Sequence, residues 1–361
     1  MKIRRALEGF EAYGWETPSY EIAEKTGLRV EDIVRLDTNT SPFKPELALS
    51  ALARKLKNAE VNQYPDTSYH AMRQALSAYT GKDLERFVVT NGADEGLDII
   101  TKVLLDPGDE VLVPTPTYPM YRIASQIMGA KVRAIDRNPD FTLDVEGMLE
   151  AVGKRTKVIF LCNPNNPTGN FSPEKEVKEL AKRSGVVVAI DEAYFEYCDG
   201  SAIDITDRLD NVVVCRTLSK AFSLAGARLG YLVAKRETVD KLNMVRPPNS
   251  LSVISLMLGQ TALTHLDEMK KHVASTVRER GRLLEGLGGI SGLTAYPSAA
   301  NFILFKVNKG DAGKVHAGLM KKGLVLRNLS QVRGVENCLR TTVGTPDINA
   351  RLLVELDRLV R

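Results

Sequence analysis

The middle of the chain alternates short, almost wholly apolar runs with amphipathic stretches, and this alternation strongly limits the folds open to it. Runs without a polar residue at every second position are typical of strands buried on both faces, as in parallel sheets covered by helices. The pattern therefore predicts an α/β protein with a mostly parallel sheet. The runs are residues 111–113, 158–161, 186–190, 212–214 and 231–233.

Three of these runs lead into polar segments at the point where the predicted strand ends. The run 158–161 leads into NPNNPTG (163–169), 186–190 into DEAY (191–194), and 212–214 into TLSK (217–220). Ligands of open α/β sheets bind just beyond the carboxyl ends of the strands. We therefore expect the three segments to face one cleft.

The chain has 361 residues, enough for a large domain and a smaller one. The segment RPPN (246–249) interrupts the alternating pattern, so we predict a large domain at 38–246 and a small domain formed by 1–37 plus 247–361. The small domain should contain a long helical region (about 250–287), a strand near 301–305 and a final helix. That helix is predicted to begin at Pro346 after Thr345 as N-cap. Its predicted apolar face comprises Ile348, Leu352, Leu356 and Leu359.

Lys220 lies in the segment RTLSKAFSLAGARLG (216–230). A lysine that forms a Schiff base must lie in a pocket that lowers its pKa, and a position beyond a buried strand supplies one. The hydroxyls of Thr217 and Ser219 and the guanidinium of Arg228 are suited to bind a phosphate. A lone lysine here would more simply be a surface residue at a helix start, but its three neighbours favour a cofactor lysine.

Asp191 follows five apolar residues directly, and such a carboxylate is costly to bury without a cationic partner. A protonated pyridine nitrogen is such a partner, and the carboxylate would keep it protonated. A helix N-cap or an internal salt bridge explains the residue equally well.

Three further residues are candidates for contacts to a planar cofactor ring. Asn166 and Tyr194 are able to reach a phenolate oxygen, and Tyr118, beyond the run 111–113, is able to stack on the ring. A plain connecting turn is the alternative for Asn166, although the two prolines and the NNP run make its segment fairly specific. Tyr194 could instead pack in the core, and for Tyr118 alone a core tyrosine is the favoured interpretation.

The segment NGADEG (91–96) follows the apolar residues 87–89 and precedes apolar positions at helical spacing. A strand, a glycine turn and a helix N-terminus together form a phosphate site. Gly92, Ala93 and Asp94 are therefore candidates, although acidic residues suit the first turn of any helix. The segment contains no dinucleotide or triphosphate motif.

Composition argues against several other classes of function. The net charge is +4 without a run of five like charges, so nucleic acid is not an expected partner. The four cysteines are far apart and the four histidines match no ligand spacing, so we expect no metal and a reducing, cytoplasmic location. No segment is apolar for the 18 or so residues of a membrane helix, and no secretory signal is evident.

Taken together, the motifs resemble those of fold type I aminotransferases that use pyridoxal 5'-phosphate, and most closely the histidinol-phosphate aminotransferases. The resemblance extends from about residue 36 to residue 345. It implies a large domain with a mostly parallel seven-stranded-type sheet and a smaller α+β domain. The strongest matches are CNPNNPTG (162–169), DEAY (191–194), RTLSKAFSLAGARLG (216–230), NGADEG (91–96), PTYPMY (116–121) and LRTTVGT (339–345).

The resemblance also implies roles for individual residues. Lys220 would carry the cofactor and shuttle the proton, Asp191 would pair with the pyridine nitrogen, and Tyr194 with Asn166 would bind the ring oxygen. Tyr118 would stack on the ring. The residues implied around the phosphate are Gly92, Ala93, Asp94, Thr217, Ser219 and Arg228, with Tyr64 reaching the neighbouring subunit of a homodimer.

The expected substrate contacts are Arg327 and Arg340, a guanidinium pair for phosphate or carboxylate groups, and Asn39. The segment that is often Asn-Glu-Asn-Pro in the family has no glutamate here, and it lies near the substrate mouth. Tyr13 and Tyr20 both remain candidates for the family's N-terminal substrate tyrosine.

The predicted reaction is transamination between L-glutamate and imidazole-acetol phosphate, giving 2-oxoglutarate and L-histidinol phosphate, in histidine biosynthesis. An aminotransferase for aromatic amino acids and a threonine-phosphate decarboxylase of the same fold are alternatives. A sensor domain of a regulator that keeps this fold is a further alternative. The 35 or so residues before the first motif offer no DNA-binding extension for such a regulator, and the intact Lys220 also argues against it.

Overall fold

Two β-sheets organise residues 3–360, the part of the chain that this computed structural model describes. The larger sheet has seven strands in the order β2-β8-β7-β6-β5-β3-β4, and the smaller has five in the order β1-β11-β12-β10-β9. The strands are β1 (Val34–Leu36), β2 (Phe87–Thr90), β3 (Glu110–Thr115), β4 (Lys131–Asp136), β5 (Thr156–Cys162), β6 (Val187–Asp191), β7 (Val212–Thr217), β8 (Gly230–Val233), β9 (Leu293–Ala295), β10 (Phe302–Val307), β11 (Leu324–Asn328) and β12 (Cys338–Thr342).

Helices cover both faces of the larger sheet, as the wholly apolar runs require. The five predicted runs all form strands of this sheet, and its pairs are parallel except those of β8 with β2 and β7. The helices are α1 (Ser19–Thr26), α2 (Glu46–Leu56), α3 (His70–Thr80), α4 (Gly92–Leu104), α5 (Met120–Ile127), α6 (Val145–Ala151), α7 (Glu174–Ser184), α8 (Arg236–Asn243), α9 (Val253–Leu263), α10 (Leu266–Gly288), α11 (Ala312–Lys321) and α12 (Pro346–Val360).

The three central strands end close to one another, with β5 and β6 ending at paired residues and β7 continuing to Thr217. Cys162 at the end of β5 pairs with Asp191 at the end of β6, and Asp191 pairs with Cys215 near the end of β7. The segments that follow these strands therefore leave the sheet at one edge, as predicted.

The predicted helical region 250–287 is confirmed and consists of two helices, α9 and α10. Ser252 caps α9 by accepting a hydrogen bond from the backbone N–H of Ser255 at 3.0 Å, and the chain leaves helical geometry at His265 before α10 begins. Helix α9 packs on α2 and α3, and α10 extends from the core of the larger sheet to that of the smaller. The domain division after residue 246 stays a prediction.

The final helix begins at Pro346, as predicted, but its apolar face differs at one position. Leu352 and Leu356 are fully buried and Ile348 is partly buried, whereas Leu359 is 38% exposed and Val360 is buried instead. Residues four apart lie over one another on a helix, so Val360 continues the row of Leu352 and Leu356, and Leu359 lies on its flank. None of the helices in the described part of the chain is long and apolar enough to cross a membrane.

Candidate active site

A cleft of about 430 Å³ lies beyond the carboxyl edge of the larger sheet and receives residues from both sheets. Its walls include 13 of the 15 predicted site residues, which are Asn39, Ala93, Asp94, Tyr118, Asn166, Asp191, Tyr194, Thr217, Ser219, Lys220, Arg228, Arg327 and Arg340. Gly92 lies behind this wall, next to Arg228. Tyr64 is 83% exposed and lies at a separate surface groove instead.

Lys220 projects into the cleft from the turn after β7. Its Nζ donates a hydrogen bond to the backbone oxygen of Thr38 at 3.0 Å. Burial and, second to it, the positive charge of Arg340 lower the pKa of this amine from 10.5 to about 8. A substantial fraction of the amine is therefore neutral near neutral pH, which nucleophilic attack and proton transfer both require.

Asp191 ends β6 on the floor of the cleft. Its Oδ1 accepts a hydrogen bond from the backbone N–H of Ala193 at 3.0 Å, and its Oδ2 accepts one from the hydroxyl of Tyr121 at 2.7 Å. The sequence predicted a cationic partner, but within the described residues the carboxylate has neutral donors and no salt bridge. Burial raises the pKa of this carboxyl to about 6. The site is therefore suited to a positively charged group of a ligand.

Two amides converge on the hydroxyl of Tyr194 at the side of the cleft. Asn39 donates to the hydroxyl oxygen at 3.0 Å and Asn166 at 3.3 Å. Burial raises the pKa of Tyr194 well above its usual value, so the hydroxyl stays protonated. The phenol and the Asn166 amide thus form a pair of donors that can bind one oxygen atom of a ligand.

The N-terminus of α4 and the turn after β7 together form an anion cradle. Ser219 and Thr217 are linked by a hydrogen bond of 2.8 Å between their hydroxyls, and Arg228 extends towards Asp94 with a 3.9 Å separation between Nη2 and Oδ2. Gly92 has a φ of +79°, and a Cβ there would lie only 2.5 Å from Nη2 of Arg228. The glycine therefore leaves the space that the guanidinium occupies beside the helix N-terminus.

Tyr118 lies at the side of the cleft just before α5. Its hydroxyl donates to Oδ1 of Asp94 at 3.1 Å, which fixes the ring between the cradle and the floor. Its ring contacts that of Tyr121 edge-on, with centroids 5.8 Å apart and planes at 80°. The aromatic wall can pack against a flat ligand ring.

Two arginines from the smaller sheet line the mouth. Arg340 is buried and donates to the backbone oxygen of Asp37 at 2.6 Å and to the side chain of Asn166, while its Nε has no partner within the described chain. Arg327 donates to Oε1 of Glu16 at 3.1 Å. Burial lowers the pKa of Arg340, so an anionic ligand would stabilise its charge.

Two residues of this site, Tyr121 and Glu16, carry no signal in the sequence that assigned them here, and the choice between Tyr13 and Tyr20 was open. Tyr121 lies within the quoted motif PTYPMY, but its bond to Asp191 was not foreseen, and Glu16 was not considered. Tyr13 lines the cleft and donates to Glu16 at 2.9 Å, whereas Tyr20 is 64% exposed, so the structure favours Tyr13 as the N-terminal tyrosine of the cleft. The one available signal for Tyr121 was its position three residues after Tyr118, at the start of a helix, which places the two rings near one another.

Comparison with known proteins identifies the class. A family model described as aminotransferase class I and II matches residues 31–356. The histidinol-phosphate aminotransferase of Caldanaerobacter subterraneus subsp. tengcongensis is 36% identical to this chain, over 99% of the chain and 98% of the relative. That of Ruminiclostridium cellulolyticum is 37% identical, over 98% of the chain and 97% of the relative. The crystal structure of histidinol-phosphate aminotransferase from Sinorhizobium meliloti, in complex with pyridoxal-5'-phosphate, matches with a TM-score of 0.90 at 25% identity, covering 100% of this chain and 98% of that one.

The seven-stranded sheet and the lysine-centred cleft are those of a fold type I transaminase that depends on pyridoxal phosphate. The chain belongs to the aminotransferase class I and II family, and its full-length relatives place it among the histidinol-phosphate aminotransferases. The predicted fold, enzyme class and cofactor are confirmed by these matches.

The residues of the cleft fit pyridoxal phosphate. The hydroxyls, the guanidinium and the helix N-terminus of the cradle can bind a phosphate, the buried Asp191 carboxylate lines the cleft without a salt-bridge partner among the described residues, and Lys220 lines the same cleft with a lowered pKa. Within the described residues, no group of His, Cys, Asp and Glu side chains is arranged to hold a metal ion.

Proposed function

We propose that the chain transfers an amino group between L-glutamate and imidazole-acetol phosphate, giving 2-oxoglutarate and L-histidinol phosphate. The observation that carries this proposal is the similarity to histidinol-phosphate aminotransferases along almost the whole chain. The two arginines at the mouth support it, because both the phosphate and the carboxylate substrates are anionic.

Bound pyridoxal phosphate supplies an electron-withdrawing ring that stabilises negative charge at the substrate's α carbon. In the proposed mechanism, Asp191 stabilises positive charge at the ring nitrogen, and its burial strengthens that interaction. Lys220 would hold the cofactor covalently between turnovers, and its Nζ, once freed, would take the proton from the substrate's α carbon and deliver it to the cofactor's C4′ carbon. The neutral fraction of this amine, favoured by a pKa of about 8, supplies the base.

The remaining side chains hold the cofactor and substrate in position. We assign the phosphate to Thr217, Ser219, Arg228 and the backbone at Gly92–Asp94, and the ring oxygen to Asn166 and Tyr194. Tyr118 packs on the ring face. Arg340 is the principal anion contact, because its buried guanidinium has a free Nε, and Arg327 and Asn39 complete the substrate site.

A homodimer with shared active sites is part of the proposal. Tyr64 is exposed beside a groove of about 310 Å³ formed by α3, α9 and the segment 58–66, and it does not line the cleft of its own chain. We propose that it reaches the phosphate of the partner subunit. A cytoplasmic location is also proposed, supported by the four cysteines, which are all free.

A half-reaction screen tests the function. Enzyme loaded with the amine form of the cofactor is mixed with imidazole-acetol phosphate, phenylpyruvate or 2-oxoglutarate, and loss of the amine form is followed by absorbance. We expect imidazole-acetol phosphate to exceed phenylpyruvate by about a hundredfold in kcat/KM, because only the former offers a phosphate to both arginines. Equal rates would favour an aromatic aminotransferase. Release of carbon dioxide when threonine phosphate is mixed with enzyme that carries the aldehyde form of the cofactor would favour the decarboxylase.

Lys220→Ala is the control for chemistry at the proposed amine. It should abolish turnover with every substrate pair, and transamination at the wild-type rate would refute the assigned role of Lys220.

A further inference from the structure

Tyr121 lies in the first turn of α5 and connects that helix to the end of β6. Its ring is fully buried and stacks on Phe160, with centroids 5.4 Å apart and planes at 5°, and it contacts Tyr118 edge-on. Its hydroxyl donates to Oδ2 of Asp191 at 2.7 Å. The ring is therefore held by two aromatic neighbours, and its one polar atom is directed at the carboxylate.

We infer that Tyr121 is a positioning residue for the reaction, holding the carboxylate of Asp191 in the orientation that the cofactor's ring nitrogen needs. The inference rests on the role proposed above for Asp191. It concerns a residue that acts through the carboxylate and lies behind it, because Tyr121 does not line the cleft.

Two donors from different elements fix the two oxygens of this carboxylate. The backbone N–H of Ala193, in the turn after β6, binds Oδ1, and the hydroxyl of Tyr121, on α5, binds Oδ2. Each oxygen of a carboxylate can accept a second hydrogen bond. The carboxylate therefore keeps acceptor capacity towards the cleft while both of its oxygens are held from behind.

The hydroxyl of Tyr121 acts as a donor across the working pH range. Burial and the nearby charge of Asp191 raise the pKa of this phenol well above its usual value, so it keeps its proton. The hydrogen bond lowers the pKa of Asp191 and opposes the effect of burial, which raises it. The same contact thus orients the carboxylate and favours its charged form.

The alternating faces of the sheet explain why this helix supplies the donor. Phe160, Cys162 and Ala189 share one face of the sheet with the Asp191 side chain, and α5 packs on that face with Tyr121. A side chain from the opposite face could not reach the carboxylate without crossing the sheet. A donor of tyrosine length in the first turn of α5 meets this requirement.

The test begins with Tyr121→Phe, which removes the hydroxyl and keeps the ring packing. We expect the apoenzyme to bind pyridoxal phosphate about tenfold more weakly, measured by equilibrium dialysis, because a hydrogen bond to a charged group is lost. In the reconstituted holoenzyme, kcat should fall about tenfold with little change in KM for L-glutamate. The acid limb of the kcat profile should move to higher pH.

Tyr79→Phe is the matched control. Tyr79 is also a largely buried tyrosine whose hydroxyl contacts a carboxylate, Glu196, at 3.4 Å, but it lies outside the cleft lining. It should leave the dissociation constant and the pH profile unchanged. An effect of similar size in both variants would overturn the inference, because it would report a general loss of packing.

A double-mutant cycle separates this inference from the role of Asp191. In an Asp191→Asn background, adding Tyr121→Phe should change cofactor affinity less than about twofold, because Tyr121 acts through the carboxylate. Additive losses would overturn the inference. If Asp191→Asn alone binds cofactor and turns over like the wild type, the proposed function of Asp191 fails and the inference fails with it. If Asp191→Asn is impaired and Tyr121→Phe is not, only the inference fails.

Discussion

Replacing Gly92 by alanine tests whether the cradle binds the cofactor phosphate. The glycine begins α4 with a φ of +79°, and the added Cβ would lie 2.5 Å from Nη2 and 3.2 Å from Cζ of Arg228. The backbone of Arg228 is itself in the left-handed region, with a φ of +54°. Its side chain is 48% exposed, so we expect the guanidinium to swing out of the cradle while the backbone stays in place.

Two separable losses follow from this geometry. The left-handed backbone costs a residue with a Cβ about 1–2 kcal/mol, so Gly92→Ala should lower the free energy of unfolding of the apoenzyme by that order. Displacing the guanidinium removes a charge-assisted contact to the phosphate, worth about 1.5–3 kcal/mol, so the dissociation constant for pyridoxal phosphate should rise about tenfold to a hundredfold.

Gly81→Ala is the matched control. Gly81 has a φ of +71°, and a Cβ there would meet nothing within 4 Å. Thermal denaturation of the two apoenzymes should show similar losses of stability, whereas equilibrium dialysis with pyridoxal phosphate should show weaker binding for Gly92→Ala alone. Equal affinities in both variants would refute the assignment of the phosphate to this cradle.

Three further outcomes are expected. In the apoenzyme, the folded state binds fewer protons at Lys220 than the unfolded state between pH of about 8 and 10.5. The free energy of unfolding should therefore increase as pH rises through that window, and urea denaturation of Lys220→Met should lack this increase. Glu16→Gln should release Arg327 and lower KM for anionic substrates about two- to fivefold, the range of a partly exposed ion pair; a higher KM would mean that Glu16 instead holds Arg327 in place for the substrate. Arg340→Ala should raise KM for L-glutamate and imidazole-acetol phosphate about tenfold or more; an equal loss with a neutral amino donor would contradict its role as an anion contact.

The sequence was most informative about features that depend on a single strand or loop, such as burial on both faces or a polar segment at a strand end. Apolar runs without alternation require burial on both faces, so the larger sheet and the polar segments at its edge followed from local patterns. The same logic predicted that Lys220 and Asp191 face one cleft, and both residues line it. The motifs then narrowed the class of enzyme, because several segments in a fixed order are more specific than any one of them.

Contacts between distant elements were not predictable in the same way. The bond between Tyr121 and Asp191 joins residues 70 apart, and that between Arg327 and Glu16 joins residues 311 apart. Each depends on how a helix or an N-terminal segment packs, which no local pattern specifies. The packing of α5 brings the neutral hydroxyl of Tyr121 to the Asp191 carboxylate, a contact that the sequence did not indicate, while the cationic partner expected there, the ring nitrogen of the cofactor, stays a prediction.

The register of β6 between β5 and β7 determines which side chain points into the cleft at the end of β6. Side chains alternate along a strand, so slippage of β6 by a single position would present Ile190 or Glu192 where Asp191 now stands, and would turn the Asp191 carboxylate to the opposite face of the sheet. A change of register therefore removes the carboxylate from the cleft in one step and not by degrees. Damage to the interior of the sheet, far from any reacting atom, should extinguish activity abruptly instead of eroding it.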